Sequence, residues 1–397
     1  MSSLDEKGRS EGRSLTDFPI RALPGLWLLL LPIFPLHADE YREPAPVLES
    51  GGVDYASIWK KATLYSDPEG PILRELSLTG RFQYDFAGVE SDRGDFLGGS
   101  FRRFRVGWKA VLPADLALKS EVEFDLDDAS PLYKRLTDSY LQWTPGEDWR
   151  FRLGKQAAAF TLDGATSSNE LLTIERNNLS NNLWFSEIFA PGALVDWSPD
   201  AWRLSAGIFS AGGQSPEFGD FDGSASGLIK LGRDFSENLG IREALVEAHF
   251  AWQDYRPENT IAGPNDRVAS LVARFEGDRW GFRSDLGVAR DAPGENTLAG
   301  IVAMPFFNLT DDWQLVARFT WLESEHDNGL RLGRYENRIV EGRGDRYLES
   351  YFGLNRFLFG HQLKWQAGVQ HARMTDSAAD GGAYDGWGLA TALRVSW

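Results

Sequence analysis

Regular alternation of apolar and polar residues is the feature that most restricts how this chain can fold. From Leu73 onward, segments of roughly ten residues alternate in this way, and turn residues separate them. A strand with this pattern has one apolar face and one polar face. We identify sixteen candidate strands, near residues 74–88, 100–112, 115–126, 134–144, 148–156, 191–198, 201–210, 224–233, 241–253, 266–276, 279–290, 296–307, 312–323, 346–357, 361–373 and 384–397.

The links between these strands alternate between short and long. Links 113–114, 199–200 and 277–278 are short, whereas links 89–99, 157–190 and 324–345 are long. An outer-membrane barrel has short turns at one end, longer loops at the other and an even number of strands. A soluble sandwich also alternates, but it has no reason to separate its loops by length. Because lipid offers the backbone no hydrogen-bond partners, a spanning sheet must close on itself. We therefore predict an all-β fold, a transmembrane antiparallel β-barrel of about 16 strands.

The link after the fifth strand is long enough to need a function of its own. Loops of this length inside a compact fold are usually functional or disordered. Small and polar residues dominate the link, and we predict that this third extracellular loop folds into the lumen of the barrel. Its apolar residues require packing partners; they are Phe160, Leu162, Leu171, Leu172, Ile174, Leu179, Leu183 and Trp184.

Composition excludes several classes of function. Asp and Glu outnumber Lys and Arg by 58 to 41, which gives a net charge of −17 and no basic surplus for general nucleic-acid binding. Cysteine is absent, which excludes disulfides and thiolate metal sites and fits an exported bacterial protein. The 15 Trp, 25 Phe and 41 Gly suit β-structure with aromatic girdles better than a helical enzyme. No feature of the sequence points to a cofactor.

The N-terminal part divides into a targeting segment and a lead-in. An apolar core of about fourteen residues follows Arg21 and ends at the small residue Ala38, as in a secretory signal. It is too short and too rich in proline to span a bilayer as a helix, and a buried helix or a signal-anchor is the alternative. We predict a signal peptide at 1–38, a periplasmic lead-in at 39–72 with one short helix near 55–64, and a barrel domain at 73–397. The expected location is the outer membrane of a Gram-negative-type bacterium, in contact with outer-membrane lipid.

Basic residues cluster on the polar faces of the first five strands. A sixteen-stranded barrel is wide enough for an aqueous channel, and lumenal Arg and Lys lower the barrier for anions. The planar fork of Arg suits oxyanions because it donates two hydrogen bonds at once. Acids share the same walls, among them Asp85, Glu121 and Glu123. Both a dedicated anion track and a mixed-charge lining that hydrates the wall therefore remain open. The bases are Arg81, Arg103, Arg105, Lys109, Lys119, Arg152 and Lys155.

Four stretches in order carry a family resemblance: GRFQYDF, FRRFRVGWKA, DSYLQWTP and RFRLGKQAAAFTLDGATSSNELLTIERNNLSNN. They resemble the phosphate-selective porin O and P family, most specifically over 154–182 and more weakly over 72–397. The resemblance implies a sixteen-stranded homotrimeric porin whose third extracellular loop enters the lumen and whose Arg and Lys residues guide anions such as phosphate. The chain departs from the family in its acidity and in Phe101 and Phe104 beside the Arg cluster. By position, the family's basic residues match Arg81, Arg102, Arg103, Arg105, Lys155 and Arg176.

The sequence thus predicts a porin for passive diffusion of small hydrophilic solutes, with a preference for inorganic anions such as phosphate as the finer hypothesis. We expect no enzyme activity and no metal site. The expected pore-lining, anion-binding residues are Arg81, Arg102, Arg103, Arg105, Lys109, Arg152, Lys155 and Arg176.

Two other classes of protein remain as alternatives. A barrel lipase needs a Ser–His pair, and no histidine after the signal is followed two residues later by Ser. His249 lies on a polar face of a predicted strand. His326-Asp327, in a long loop, is the candidate for a protease at the rim of the barrel. The acidic stretches 219–223 and 376–382 do not fit the spacing of an EF-hand calcium loop. The other class is a structural or adhesive barrel that conducts poorly because the long loop plugs it.

Overall fold

The computed structural model describes residues 54–127, 130–183, 189–210, 218, 225–254, 265–291 and 296–397. The predicted signal peptide and residues 39–53 of the lead-in lie outside the described residues, as does Trp184. The helices are α1 (Tyr55–Lys60), α2 (Leu162–Ala165), α3 (Asn178–Leu183) and α4 (Ser236–Leu239). The strands are β1 (Thr63–Ser66), β2 (Glu75–Ser91), β3 (Gly94–Leu112), β4 (Leu116–Phe124), β5 (Tyr133–Trp143), β6 (Trp149–Ala157), β7 (Phe189–Trp197), β8 (Trp202–Ser210), β9 (Ala225–Asp234), β10 (Glu243–Gln253), β11 (Asn265–Glu276), β12 (Trp280–Asp291), β13 (Thr297–Asn308), β14 (Trp313–Ser324), β15 (Leu330–Arg331), β16 (Arg343–Gly344), β17 (Arg346–Phe359), β18 (Leu363–Thr375) and β19 (Tyr384–Ser396).

Sixteen of these strands, β2–β14 and β17–β19, form one closed antiparallel barrel. Each pairs with its neighbour along this series, and β19 returns to pair with β2 from Ser396↔Arg81 to Gly386↔Ser91. The predicted sixteen-stranded barrel is confirmed, and each of its strands corresponds to one of the sixteen predicted from alternation. The short strands β15 and β16 form a separate two-stranded sheet within the link between β14 and β17.

The two faces of the barrel wall have opposite chemistry. Leu153 and Leu389 on the outer face are 64% and 67% exposed, whereas Lys364 and Gln366 on the inner face are fully buried. A soluble protein hides leucine and exposes lysine, so this wall is inverted. An apolar outer surface around a polar interior is the arrangement that suits a barrel in lipid.

The link between β2 and β3 differs from the prediction. A long loop was expected at 89–99, but the strands continue to Ser91 and from Gly94, so that only Asp92 and Arg93 connect them. Gly98 and Gly99 interrupt the sequence pattern without interrupting the strand. Phe96 pairs across from Val89 and packs against the apolar cluster inside the barrel. The hairpin extends beyond β4, whose pairing with β3 begins at Phe104, whereas β19 accompanies β2 as far as Ser91.

The predicted helix of the lead-in is present as α1, and it sits where the barrel closes. The indole Nε1 of Trp59 donates to the carbonyl of Ser396, and its ring packs against Tyr55 and Phe359. The following strand β1 pairs with β2 beside Ser77, at a part of β2 that β19 does not reach. No helix in the described part of the chain is long and apolar enough to cross a membrane.

Candidate functional site

The segment between β6 and β7, residues 158–183, contacts strands on opposite sides of the barrel. Its Glu175 carboxylate accepts from Arg102 of β3, with 2.6 Å between Arg102 Nε and Glu175 Oε1. Its Leu162 amide donates to Asp285 Oδ2 of β12 at 2.8 Å. The carbonyl of Leu171 accepts from Lys364 Nζ of β18 at 2.6 Å. Because these strands are spread around the ring, the segment reaches from one wall to another.

Apolar side chains fix one side of this segment to the wall formed by β11–β14. Leu162, Leu179 and Leu183 have no exposed surface and belong to clusters that include inward-facing residues of these strands. Gly300 makes room for the contact, since a Cβ there would lie 3.0 Å from Leu179 Cδ1. The interior of the barrel is therefore apolar where the segment rests. The wall residues of the clusters are Val268, Val272, Ala289, Leu298, Val302, Met304, Phe306, Val316 and Leu322.

Arg176, a predicted anion-binding residue, holds segment 158–183 together. Its Nη1 donates to the carbonyl of Asp163 and, at 2.9 Å, to the carbonyl of Thr166. The carboxylate of Asp163 in turn accepts from the amide of Asn177 at 2.7 Å. Burial lowers the pKa of Arg176 to about 10. The guanidinium is thus engaged within the segment itself.

A β-bulge places two consecutive arginines on the inner face of β3. Gln83 pairs with Arg103 and Tyr84 pairs with Phe101, so Arg102 is the extra residue of the bulge. Bulges of this kind redirect a side chain and are common beside functional sites. Arg102 then donates two hydrogen bonds to Glu175, from Nε to Oε1 and from Nη2 to Oε2, and Arg103 Nη1 donates to Gln83 Oε1 at 2.8 Å. The Arg102 guanidinium lowers the pKa of the Glu175 carboxyl to about 2, against the effect of burial.

Two further predicted bases form ion pairs with acids of β4. Arg105 Nη2 lies 2.7 Å from Glu123 Oε2, and both side chains are almost fully buried. Arg81 contacts Glu121 at 3.3 Å and also donates to Ser168 of segment 158–183 at 2.8 Å. Both arginines therefore lie on the inner side of the wall, with carboxylates beside them.

The remaining predicted bases differ in their surroundings. Arg152 lies 2.9 Å from Asp196, and both side chains remain partly exposed, at 22% and 18%. Lys119 and Asp138 form a similar pair at 2.8 Å. Lys109 is exposed on the inner face of β3, whereas Lys155 is buried at the end of β6. The inner wall of β4–β7 thus carries charged pairs that solvent still reaches.

Among the inward bases outside the first five strands that were missed from the sequence are Arg318, Arg394 and Lys364. Arg318 binds Glu349 at 2.6 Å and donates to Thr173 and to the carbonyl of Glu175, both at 2.7 Å. Arg394 contacts Asp85 and donates to the carbonyl of Ile174, and Lys364 donates to that of Leu171. All three stand on the polar faces of predicted strands, so the alternation placed them correctly. The sequence contains no signal that they meet the long loop.

A second long link, residues 325–345, also packs against the inner face of the barrel. Tyr335 donates its hydroxyl to Asp85 Oδ2 of β2 at 2.6 Å, and Arg334 Nε lies 3.6 Å from Glu175 Oε1. Asn178 Nδ2 donates to the carbonyl of Arg331 at 2.8 Å, which joins segment 325–345 to segment 158–183. Sequence reasoning considered this link only as the place of the protease candidate His326-Asp327, and it did not predict contacts with the inner face.

The structure describes most of the residues that were considered for an enzyme or a calcium site. His249 packs on Phe160, with its Nε2 3.7 Å from Glu247. His326 Nδ1 accepts from the amide of Asn328 at 3.1 Å. The Asp376 carboxylate accepts two amides of its own turn, at 2.9 and 2.8 Å; the stretch 219–223 lies outside the described residues. No group of three or more His, Asp or Glu side chains is placed to hold a metal ion in the described ranges.

Residues 76–266 match the model of a family described as phosphate-selective porin O and P, so the resemblance seen in the sequence is confirmed over that range. The fold is similar to that of OmpTdeltaL8, a loop deletion mutant of an outer membrane protein of Vibrio cholerae, with 13% identity over 81% of this chain and 99% of that chain and a TM-score of 0.56. It is similar to the outer membrane channel DcaP of Acinetobacter baumannii, with 12% identity over 84% and 99% and a TM-score of 0.57. It is also similar to an anion-selective porin from Comamonas acidovorans, with 13% identity over 81% and 99% and a TM-score of 0.57.

No curated protein matches the sequence. The family match over residues 76–266 and the barrel fold agree with the predicted class, an outer-membrane porin. They point to a channel rather than to an enzyme.

Proposed function

We propose that this protein forms a water-filled channel through which small hydrophilic solutes diffuse passively across the outer membrane. The observation that carries the proposal is the inner wall of β4–β7. Arg152, Asp196, Lys119 and Asp138 stand there on the polar face and keep part of their surface accessible to solvent. Charged side chains stay hydrated inside a barrel only when the barrel contains water, because burying them dry costs several kcal/mol each.

The bore, in this proposal, is narrowed by segment 158–183 and runs between that segment and β4–β9. The apolar contacts with β11–β14 and the ion pair of Arg102 with Glu175 would hold the segment across the lumen. Its Ser167 and Glu170 are exposed, which makes them candidates for the face toward the bore. This arrangement would leave a polar corridor with a wall of ion pairs on one side and a polar loop surface on the other.

The finer proposal is a preference for anions such as phosphate. Arg102, Arg103 and Arg105 bring three guanidiniums to adjacent positions of one strand, and Lys109 extends the basic row to the exposed end of β3. The description of the matching family and the similarity to an anion-selective porin from Comamonas acidovorans support the same preference. Glu121, Glu123 and Glu175 offset part of this charge. We therefore expect a moderate rather than a strict preference.

We further propose that the protein assembles as a homotrimer. One of the similar structures is described as a trimer form of OmpT, with 14% identity over 81% of this chain and 99% of that chain and a TM-score of 0.53. The outer face of β3–β8 offers a candidate contact surface, since it contains a groove of about 830 Å³ between Trp108, Leu141, Leu153 and Ile208. Small residues such as Ser120, Ser139 and Ala193 line the groove.

Planar-bilayer recording of the purified protein tests the channel proposal. We expect discrete conductance steps, and a preparation that inserts but never conducts would overturn the proposal. In a KCl gradient the reversal potential should favour chloride, and a potential that favours potassium would remove the anion preference.

A charge-matched pair of variants tests which bases carry the preference. The double variant Arg103→Gln, Lys109→Gln should shift the reversal potential toward cations, because it removes lumenal positive charge. Arg346→Gln and Arg373→Gln remove the same charge from exposed positions on the outer face near the rim, and this control should leave the potential unchanged. Equal shifts in both variants would show that the inner bases do not set the selectivity.

A further inference from the structure

The outer face of β11 and β12 carries two arginines side by side, at the end of the barrel that has the long links. Arg267 of β11 and Arg290 of β12 are directly paired, so their Cα atoms lie about 4.5–5.5 Å apart. Their chain neighbours Val268 and Ala289 belong to the apolar cluster inside the barrel, so the arginines face outward, and both are exposed. Like charges directly opposite each other destabilise a sheet. An anion bound between the two side chains would remove this repulsion.

Among the described residues, neither arginine has a close carboxylate partner. Arg267 Nε lies 3.8 Å from Asp266 Oδ2, which is too long for a hydrogen bond, and no carboxylate in the described ranges lies within 4 Å of the Arg290 guanidinium. Arg346, elsewhere on the outer rim, is paired with Glu323 of β14, with 2.9 Å between Nη2 and Oε1. Arg267 and Arg290 therefore differ from Arg346, since each has an arginine rather than an acid across the strand pair.

The height of the pair on the wall matches the border of the lipid. Trp280 is exposed at the opposite end of β12, ten residues before Arg290. Ten residues at about 3.3 Å each, in a strand tilted by about 40°, span about 25 Å, which is the height of the apolar band of such barrels. Trp252 of β10 pairs with Arg267 and is exposed, as expected of an aromatic girdle. The two guanidiniums therefore lie at the level of the lipid headgroups.

The wall between these two borders is apolar and can accommodate acyl chains. Leu271 of β11 pairs with Leu286 of β12, and both are exposed, as is Val288 next to Arg290. The trimer contact proposed above uses β3–β8, which leaves the face of β11 and β12 to lipid. The outer positions of β12 between Trp280 and Arg290 carry no charge; they are Phe282, Ser284, Leu286 and Val288.

We propose that Arg267 and Arg290 bind a phosphate group of a lipid in the leaflet next to the long links, with its acyl chains along Leu271, Leu286 and Val288. Each guanidinium can donate two hydrogen bonds to a phosphate, whose charge would offset the repulsion between the arginines. Inorganic phosphate offers the same hydrogen bonds, but it has no chains for the apolar surface below, so the site favours a lipid. The inference rests on the position of the barrel in the membrane and not on conduction.

Native mass spectrometry of the purified protein in a neutral detergent tests the site. The probe is dioleoyl phosphatidic acid, and dioleoylglycerol is the reference lipid with the same chains and no phosphate. Arg267→Gln with Arg290→Gln should weaken binding of phosphatidic acid about thirtyfold, or about fivefold for each arginine, and should leave binding of dioleoylglycerol unchanged. The control Arg346→Gln with Arg373→Gln removes the same charge from the same face and should change binding little.

Two results of the binding experiment would overturn the site. Equal weakening in the two double variants would show that phosphatidic acid responds only to the overall charge of the outer face. Complete displacement of the lipid by millimolar inorganic phosphate would assign the two arginines to a free ion.

Exchanging one charge separates lipid binding from a merely structural role. Arg290→Glu places an acid opposite Arg267, as Glu323 lies opposite Arg346. In neutral detergent the folded band of this variant should disappear from a gel at a higher temperature than that of the unaltered protein, because a repulsion becomes an attraction. Phosphatidic acid should raise this temperature for the unaltered protein but not for Arg290→Glu. An equal rise in both proteins, or no rise in either, would refute the proposed site. Neither experiment measures a current, so the outcome does not depend on whether the barrel conducts.

Discussion

Replacing Arg318 with methionine tests whether the inner polar network holds segment 158–183 and the wall together. The side chain is 2% exposed and joins three elements: β14, which carries it; β17, through Glu349; and segment 158–183, through Thr173 and the carbonyl of Glu175. Its guanidinium also lies 5.2 Å from the centre of the Tyr351 ring. Methionine keeps much of the volume and removes the charge and the donors.

The expected loss of stability follows from these contacts. Removing one partner of a buried ion pair costs about 3–5 kcal/mol, because the other charge is left uncompensated. The two hydrogen bonds to segment 158–183 overlap with this figure, so we expect a total near ~4 kcal/mol. Adding Glu349→Gln removes the orphaned carboxylate and should recover about half of the loss. Arg346 and Glu323 provide a matched exposed pair at 2.9 Å, and Arg346→Met should cost about 0–1 kcal/mol.

Urea unfolding of the protein reconstituted in lipid vesicles, followed by tryptophan fluorescence, measures these differences. Protease sensitivity within segment 158–183 reports separately whether the segment has come away from the wall. If Arg318→Met were as mild as Arg346→Met in both measurements, the network would be incidental to the structure. If the double variant were no better than the single one, the uncompensated charge would not be the cause.

Three further predictions concern the anchoring of the segments and of the lead-in. Leu179→Ala leaves a cavity at a residue with no exposed surface and should lower the free energy of unfolding in urea by about 2–5 kcal/mol. The control Leu153→Ala, on the outer face, should lower it much less. Equal losses of stability would show that segment 158–183 is not anchored by its apolar side. Because the pKa of Glu175 lies near 2, its ion pair with Arg102 is lost only as the pH falls toward that value. Glu175→Gln, which removes the ion pair, should therefore raise the current noise equally at pH 5 and pH 8. An increase in noise confined to pH 8 would contradict this expectation. Trp59→Phe removes the hydrogen bond to Ser396 and should lower the free energy of unfolding by about 1 kcal/mol. The measurement is the temperature at which the band of the folded protein disappears on a gel, which should fall. An unchanged temperature would show that α1 does not stabilise the strands that close the barrel.

The strands were predictable because lipid imposes one rule on every wall residue. Leu389 and Lys364 had to lie on opposite faces, and the sequence alternation records this rule directly. The rule fails where the inner face is itself apolar. Phe96 and Val89 face the interior cluster, so the pattern around 89–99 suggested a loop where the hairpin continues.

The site was less predictable because it depends on contacts between residues far apart in the chain. Arg176 belongs to a segment without periodicity, and only the fold shows that it binds carbonyls of its own segment. Arg318 and Arg394 were placed on the correct face, but their meeting with segment 158–183 has no local signature. The position of segment 325–345 depends on the same kind of distant contact, through Tyr335 and Asp85.

The extra residue at Arg102 has a consequence for how the channel can diversify. In the regularly paired stretches of the wall, losing one residue would turn every following side chain over and send polar groups into the membrane. Deleting Arg102 alone would instead leave the Gln83↔Arg103 and Tyr84↔Phe101 pairs as adjacent rungs of a regular ladder. A one-codon deletion here would thus remove one charge from the passage and leave the register intact, as would the reverse insertion that restores it. A deletion or insertion at this place would change one side chain in the lumen and leave the rest of the wall in place, as a substitution does. Natural or laboratory selection could use such changes to adjust permeation.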